Sequence, residues 1–100
     1  MIPKGWPSKR LSDAAAAARE ARQEAGVTGK TSAKVCGKYR YRKIDISGAQ
    51  LIEVGVFILR VRKEKKRWRE KEQRQRAWFS KSEAAHKVRE PGLKSLIRSL

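Results

Sequence analysis

Hydrophobic and polar positions change texture several times along the chain. Residues 1–12 show no apolar periodicity, and Pro3 and Pro7 discourage helix, so they read as an extended arm made basic by Lys4, Lys9 and Arg10. Ser12 is a good N-cap, Asp13 suits a first helical turn, an alanine run follows, and Gly26 is a natural stop. These signals predict a helix over 13–25 that lacks a broad apolar face. Residues 26–46 hold Gly26, Gly29 and Gly37 among cations and read as a basic loop or short strand. Residues 47–62 are the most apolar stretch. Ser47 with Gln50 forms a capping box that favours helix, whereas Ile52, Val54, Val56, Ile58 and Val61 are β-branched and favour strand. Apolar residues fall on both faces there, so strand and helix both stay open.

From residue 63 the chain becomes a run of Lys, Glu, Arg and Gln without Gly or Pro, which predicts helix over 63–79. Ser80 with Glu83 forms a second capping box, so a basic helix over 63–90 should break near residue 80 and restart, ending at Pro91-Gly92. The tail 91–100 carries Leu93, Leu96, Ile97 and Leu100, a short amphipathic turn suited to docking on a neighbour. The expected fold is therefore mainly α. It is a single extended basic chain over 1–100, with an arm, a short Ala-rich helix, a loop or short-strand region, a long charged C-terminal helix and no large independent core.

Composition sharpens this picture. The chain has 100 residues, with Lys+Arg 26 against Asp+Glu 10, a formal net charge of +16. That length leaves room for one small domain and excludes a TIM barrel of about 250 residues. The charge would resist compaction in isolation, and a polyanionic partner would relieve it. One cysteine, Cys36, excludes a disulfide framework. No apolar run reaches the roughly 18 residues of a membrane span. Residues 1–25, with basic residues, no acid before Asp13 and an Ala/Arg helix, look in part like a mitochondrial transit peptide.

Two segments concentrate the cations. Arg60–Arg76 holds Arg60, Arg62, Lys63, Lys65, Lys66, Arg67, Arg69, Lys71, Arg74 and Arg76 against Glu64, Glu70 and Glu72. The loop adds Lys30, Lys34, Lys38, Arg40, Arg42 and Lys43, interleaved with Tyr39 and Tyr41, whose rings could stack on unpaired bases. These residues, apart from Lys71, are the expected RNA contacts. Gly26-Val-Thr-Gly29-Lys30-Thr31 has the glycines of a phosphate loop but Glu24 where that motif needs its first Gly, so a phosphate-contacting turn is the better reading. A single histidine, His86, and the lack of paired carboxylates in an apolar setting predict no catalytic residues, no metal and no cofactor.

Thr28–Gly37 and Gly48–Arg62 resemble the bacterial-type large-subunit ribosomal protein twenty-seven family through Gly29, Lys30, Ser32, Lys34, Gly37, Gly48, Gln50, Gly55, Ile58, Arg60 and Arg62. The whole chain is also similar in composition to small basic proteins of organellar ribosomes. The resemblance implies a structural constituent of the ribosome, most naturally the mitochondrial one, with a cytoplasmic or chloroplast ribosome as alternatives. Its partners would be rRNA and neighbouring ribosomal proteins, with no small-molecule substrate. The alternative is a protein–protein scaffold or accessory subunit of another large, membrane-associated complex.

Overall fold

The computed structural model describes residues 2–7, 10–72 and 75–100. The chain is a mixed α/β protein with three helices and two antiparallel two-stranded sheets among these residues, so the mainly α expectation is corrected. It divides into two compact units, Met1–Val35 with Phe57–Trp78 and Cys36–Val56 with Phe79–Leu100. None of the helices is long and apolar enough to cross a membrane.

In the first unit, helix α1 spans Asp13–Ala25. The Ser12 hydroxyl accepts the Ala15 N–H at 3.2 Å, and Gly26 closes the helix in the left-handed region at φ 66°. Small Ala16 and Ala21 are buried and let the helix approach strand β1, Val27–Thr31, which follows at once. Strand β4, Leu59–Glu64, pairs with β1 in antiparallel register, with Lys30 opposite Arg60. Half-buried Leu59 and Val61 alternate with exposed Arg60 and Arg62, the period of a strand with one covered face. A register shift between Thr28 and Gly29 leaves Arg62 without a direct partner.

The expected helix over 63–79 does not form. Residues 60–64 are drawn into β4, and among the described residues 65–79 contain turns and irregular backbone. Their donors serve a different purpose. The Lys65 N–H bonds the Gly26 carbonyl at 2.7 Å, and the Glu70 N–H bonds the Gln23 carbonyl at 3.1 Å. A helix leaves its last carbonyls without internal partners, and this segment supplies them for α1. Helix propensity of a few tenths of a kcal/mol per residue cannot compete with satisfying buried carbonyls.

In the second unit, β2 (Gly37–Asp45) and β3 (Gly48–Val56) form a hairpin. The open choice over 47–62 is resolved as strand, interrupted before β4 at 57–58. The loop expected over 26–46 is largely β1 and β2. At the hairpin tip the Asp45 carboxylate accepts the Ser47 hydroxyl at 2.5 Å and the Ser47 N–H at 2.9 Å, and these bonds hold its pKa below the usual value. Arg40 stands opposite Glu53 and donates to it at 3.0 Å, with Lys38 at 3.6 Å, and this pairing lowers the Glu53 pKa. Helix α2, Lys81–Lys87, starts at the Ser80–Glu83 capping box. Pro91 does not end that helix; it opens α3, Pro91–Ser99, because a proline at the first helical position loses no needed N–H. The tail expected to dock on a neighbour instead lays α3 on β2, with Leu96 against Gly37 and Gly92 against buried Tyr39.

Two outcomes follow from this packing. Gly26→Ala should lower the denaturant midpoint, costing at least about 1–2 kcal/mol for the left-handed backbone alone, because its new Cβ would also meet the Trp68 ring at 2.6 Å. Burial, reinforced by Glu90 and then Tyr41, raises the Tyr39 pKa. The fold therefore favours the neutral phenol. That contribution is complete below about pH 10 and is lost as pH rises through the raised folded value. Thermal melts should show stability falling above that pH, and Tyr39→Phe should flatten the decline.

Candidate functional site

One face of α1 carries Glu20, Gln23 and Glu24, at i, i+3 and i+4. Two carboxylates one turn apart repel each other on an isolated helix, by a few tenths of a kcal/mol. Glu24 is only 7% exposed. Burying a carboxylate costs several kcal/mol unless it is hydrogen-bonded, and here the Lys4 backbone N–H donates to Glu24 Oε2 at 3.0 Å. The next residue, Gly5, lies directly on Glu20: a Cβ at Gly5 would stand 2.6 Å from Glu20 Cδ and 2.7 Å from Oε1. The basic arm is thus a backbone strap across both acids, and a larger residue at Gly5 would push the flexible Glu20 carboxylate aside.

The C-terminal end of this helix, immediately after Glu24, is locked by Arg76. Its Nη1 donates to the carbonyls of Ala25 (3.0 Å), Gly26 (3.2 Å) and Lys65 (3.0 Å), and its Nε lies 3.5 Å from Glu64. The guanidinium stacks over the Trp68 ring at 4.4 Å. Glu64 also accepts the Trp78 indole N–H at 2.7 Å. An open cavity of about 650 Å³ borders this cluster, with Lys66, Lys71 and Gln75 on its wall. The Trp68 Nε1 is buried with no hydrogen-bond partner among the described residues.

Among the described residues no group of three or more His, Cys, Asp or Glu side chains is placed to hold a metal ion. Glu20 and Glu24 fit a more modest role. Mg²⁺ is commonly held by one or two carboxylates, with water and substrate phosphate completing its shell. A pair of carboxylates can also take the proton from an attacking water.

The cations expected to contact RNA are dispersed. Lys30 is on β1, and Arg60, Arg62 and Lys63 are on β4. Lys34 lies exposed after β1, and Lys65, Lys66, Arg67 and Arg69 belong to the turns after β4. Lys38, Arg40, Arg42 and Lys43 lie on β2 in the second unit, where Lys38 and Arg40 pair with Glu53. Tyr39 is buried there, 6.4 Å from the Tyr41 ring. Arg76 is committed to the carbonyls of α1. Arg74, and Lys9 of the basic arm, lie outside the described residues.

The fold and this strapped acidic helix define a small mixed α/β protein with a carboxylate pair in the last turns of α1. Comparison with known proteins gives it a family. The NUDIX domain matches residues 2–100, and the chain belongs to that family. It is 42% identical over 85 residues to Nudix hydrolase 4 of Arabidopsis thaliana, an overlap of 84% of this chain and 39% of that protein. The chain thus spans about two fifths of the length of the curated relative it matches. No solved structure matches.

This membership overturns the ribosomal resemblance, the structural role in a ribosome and the alternative of a scaffold subunit. It equally overturns the expectation of no catalysis. Nudix hydrolases act on small-molecule substrates, so rRNA and ribosomal proteins as partners, and the exclusion of a small-molecule substrate, fall with it. The glycines, lysines and arginines behind the resemblance recur in any basic chain. Glu20 and Glu24 are inconspicuous in sequence because they sit in a helix of nearly balanced charge. The available signal was their like-charge i,i+4 spacing just before a glycine stop.

Arg76→Ala should destabilise the protein by about 2–3 kcal/mol, since it strands carbonyls that accept from a charged donor. Arg76→Lys should recover only part of this, because an ammonium neither forks nor stacks as a guanidinium does. Chemical denaturation of the two variants checks both.

Proposed function

We propose that this chain is part of a hydrolase that acts on a small anionic molecule, with Glu20 and Glu24 as its chemistry-bearing groups. The observation that carries the reading is the buried Glu24 carboxylate under the Lys4 N–H, with Glu20 one turn earlier beneath Gly5. A protein does not keep a costly buried acid at a helix face for solubility, and family membership makes hydrolysis its natural use. The net charge of +16 favours an anionic substrate over a neutral one. One carboxylate would accept the proton of the attacking water. The other would hold a divalent cation, which when bound supplies charge stabilisation to the leaving group.

The test is a panel of small phosphate esters and phosphoric anhydrides assayed with Mg²⁺. Glu24→Gln keeps an oxygen to accept the Lys4 N–H, so it should remain folded by circular dichroism. Both Glu24→Gln and Glu20→Gln should cut turnover by at least about 100-fold. Wild-type rates in both variants, or no hydrolysis of any panel member by the wild type, would sink the reading.

A further inference from the structure

The free end of the β2–β3 hairpin holds large aliphatic side chains in water. Ile44 is 77% exposed, Leu51 is 67% exposed, and Ile46 at the apex is fully exposed. Single exposed aliphatics are ordinary, but three at one hairpin end form a patch. The register places Arg42 opposite Leu51 and Ile44 opposite Ala49, so these four side chains share one face. Helix α3 packs near the other end of the hairpin and on the opposite face, with Leu96 against Gly37 and Gly92 against Tyr39. A Cβ at Gly48 would meet no atom within 4 Å, so the tip projects clear of the rest of the chain.

The tip is held in shape by its own hydrogen bonds. The Asp45 carboxylate accepts both donors of Ser47, which closes the connection between paired Asp45 and Gly48. Tight turns favour Gly, Asn, Asp and Ser, so the local geometry gives no reason for Ile46 at the apex. Charge is graded along the exposed face. Lys38, Arg40, Arg42 and Ile44 follow one another from base to tip, with Ile46 beyond them. Lys38 and Arg40 hold Glu53, whereas Arg42 has no ion-pair partner among the described residues. The strand rise puts Arg42 roughly 7 Å behind Ile44. Apolar side chains sink about 5–10 Å into the boundary between lipid headgroups and acyl chains.

We propose that the hairpin tip formed by Ile44, Ile46 and Leu51 inserts into the surface of an anionic lipid bilayer, with Arg42 at the headgroups. The gradation of charge selects that partner. A protein-binding patch has an apolar centre ringed by polar groups. Here the apolar groups are the protruding end, and the charge lies behind them only, as a layered interface requires. The sign of the charge selects anionic lipid. The hairpin holds Lys38, Arg40, Arg42 and Lys43 against Asp45 and Glu53, in a chain of net charge +16. Cations near an anionic leaflet are attracted to it, and a long arginine side chain can keep its head among the headgroups while its stem lies along acyl chains. Asp45, the one acid at the tip, is already bonded to both donors of Ser47. The proposal adds a lipid contact to the hydrolase and does not rest on the reading of Glu20 and Glu24.

Cosedimentation with phosphatidylcholine vesicles, with and without phosphatidylserine and at fixed ionic strength, reads the partitioning. The wild type should bind the serine-lipid vesicles at least about tenfold more strongly. I44S/I46S/L51S keeps every charge, so it should retain adsorption by charge alone but lose at least about tenfold of the binding. R42A should weaken binding to the serine-lipid vesicles about threefold. A second readout needs none of these variants. An environment-sensitive fluorophore on I46C, in a C36A background, should shift its emission to the blue on the vesicles. The same label on S82C, at an exposed position of α2 in the same unit, should not shift. Wild-type binding by I44S/I46S/L51S or R42A, unshifted emission at position 46, or no binding of serine-lipid vesicles by the wild type would overturn the proposal. So would a wild-type dimer that I44S/I46S/L51S dissociates without changing vesicle binding, which would assign the tip to a second copy of the chain.

Discussion

The first unit depends on satisfying the carbonyls at the C-terminal end of α1. A helix that stops in the protein interior leaves acceptors that need donors. Gly26 turns the chain and returns its own N–H to Arg22, Glu70 and Lys65 supply backbone donors to Gln23 and Gly26, and Arg76 reaches Ala25 and Gly26. The Trp68 ring packs against both Gly26 and the Arg76 guanidinium. This arrangement fixes the end of α1, and with it the helix face that holds Glu20 and Glu24. It also explains why a segment with high helix propensity stays irregular: its donors are committed to another helix.

The same constraint shapes the electrostatics. Part of the positive charge is used internally, as with Arg76, and part pairs across the β2–β3 hairpin through Glu53. What remains on β1 and β4 is uncompensated. The acids follow a complementary pattern, with Glu64 and Glu53 held by cations while Glu20 and Glu24 meet the backbone of the arm. In a chain of charge +16, two carboxylates thus lie close to a glycine and a main-chain N–H of the basic arm.

Some of this was readable along the chain and some was not. The caps of α1 and α2 are local: a hydroxyl at Ser12 or Ser80 bonds an N–H three residues on, and Gly26 tolerates a positive φ. Such contacts need no distant partner, so residue type and spacing reveal them. The β-branched residues of 51–61 carried the strand signal, although the Ser47–Gln50 pair competed with it locally. Segment 63–79 misled because propensity measures a helix alone in water, whereas residues 60–64 found β1 and residues 65–70 found the end of α1. Glu20 and Glu24 looked like ordinary members of a balanced helix, because nothing near them in sequence says that Lys4 and Gly5 fold back across them.

The sequence by itself determined the local switches: where helices begin, where glycine breaks them, and how large the unbalanced positive charge would be. Those are contacts spanning three or four residues and sums over composition. Only the tertiary structure decided which charges meet. It set Lys4 on Glu24 across 20 positions, Arg76 on Gly26 across 50, and Lys30 opposite Arg60 with no acid to divide them. Pairings at such separations are chosen by what each burial leaves unsatisfied, a balance that no window along the chain contains.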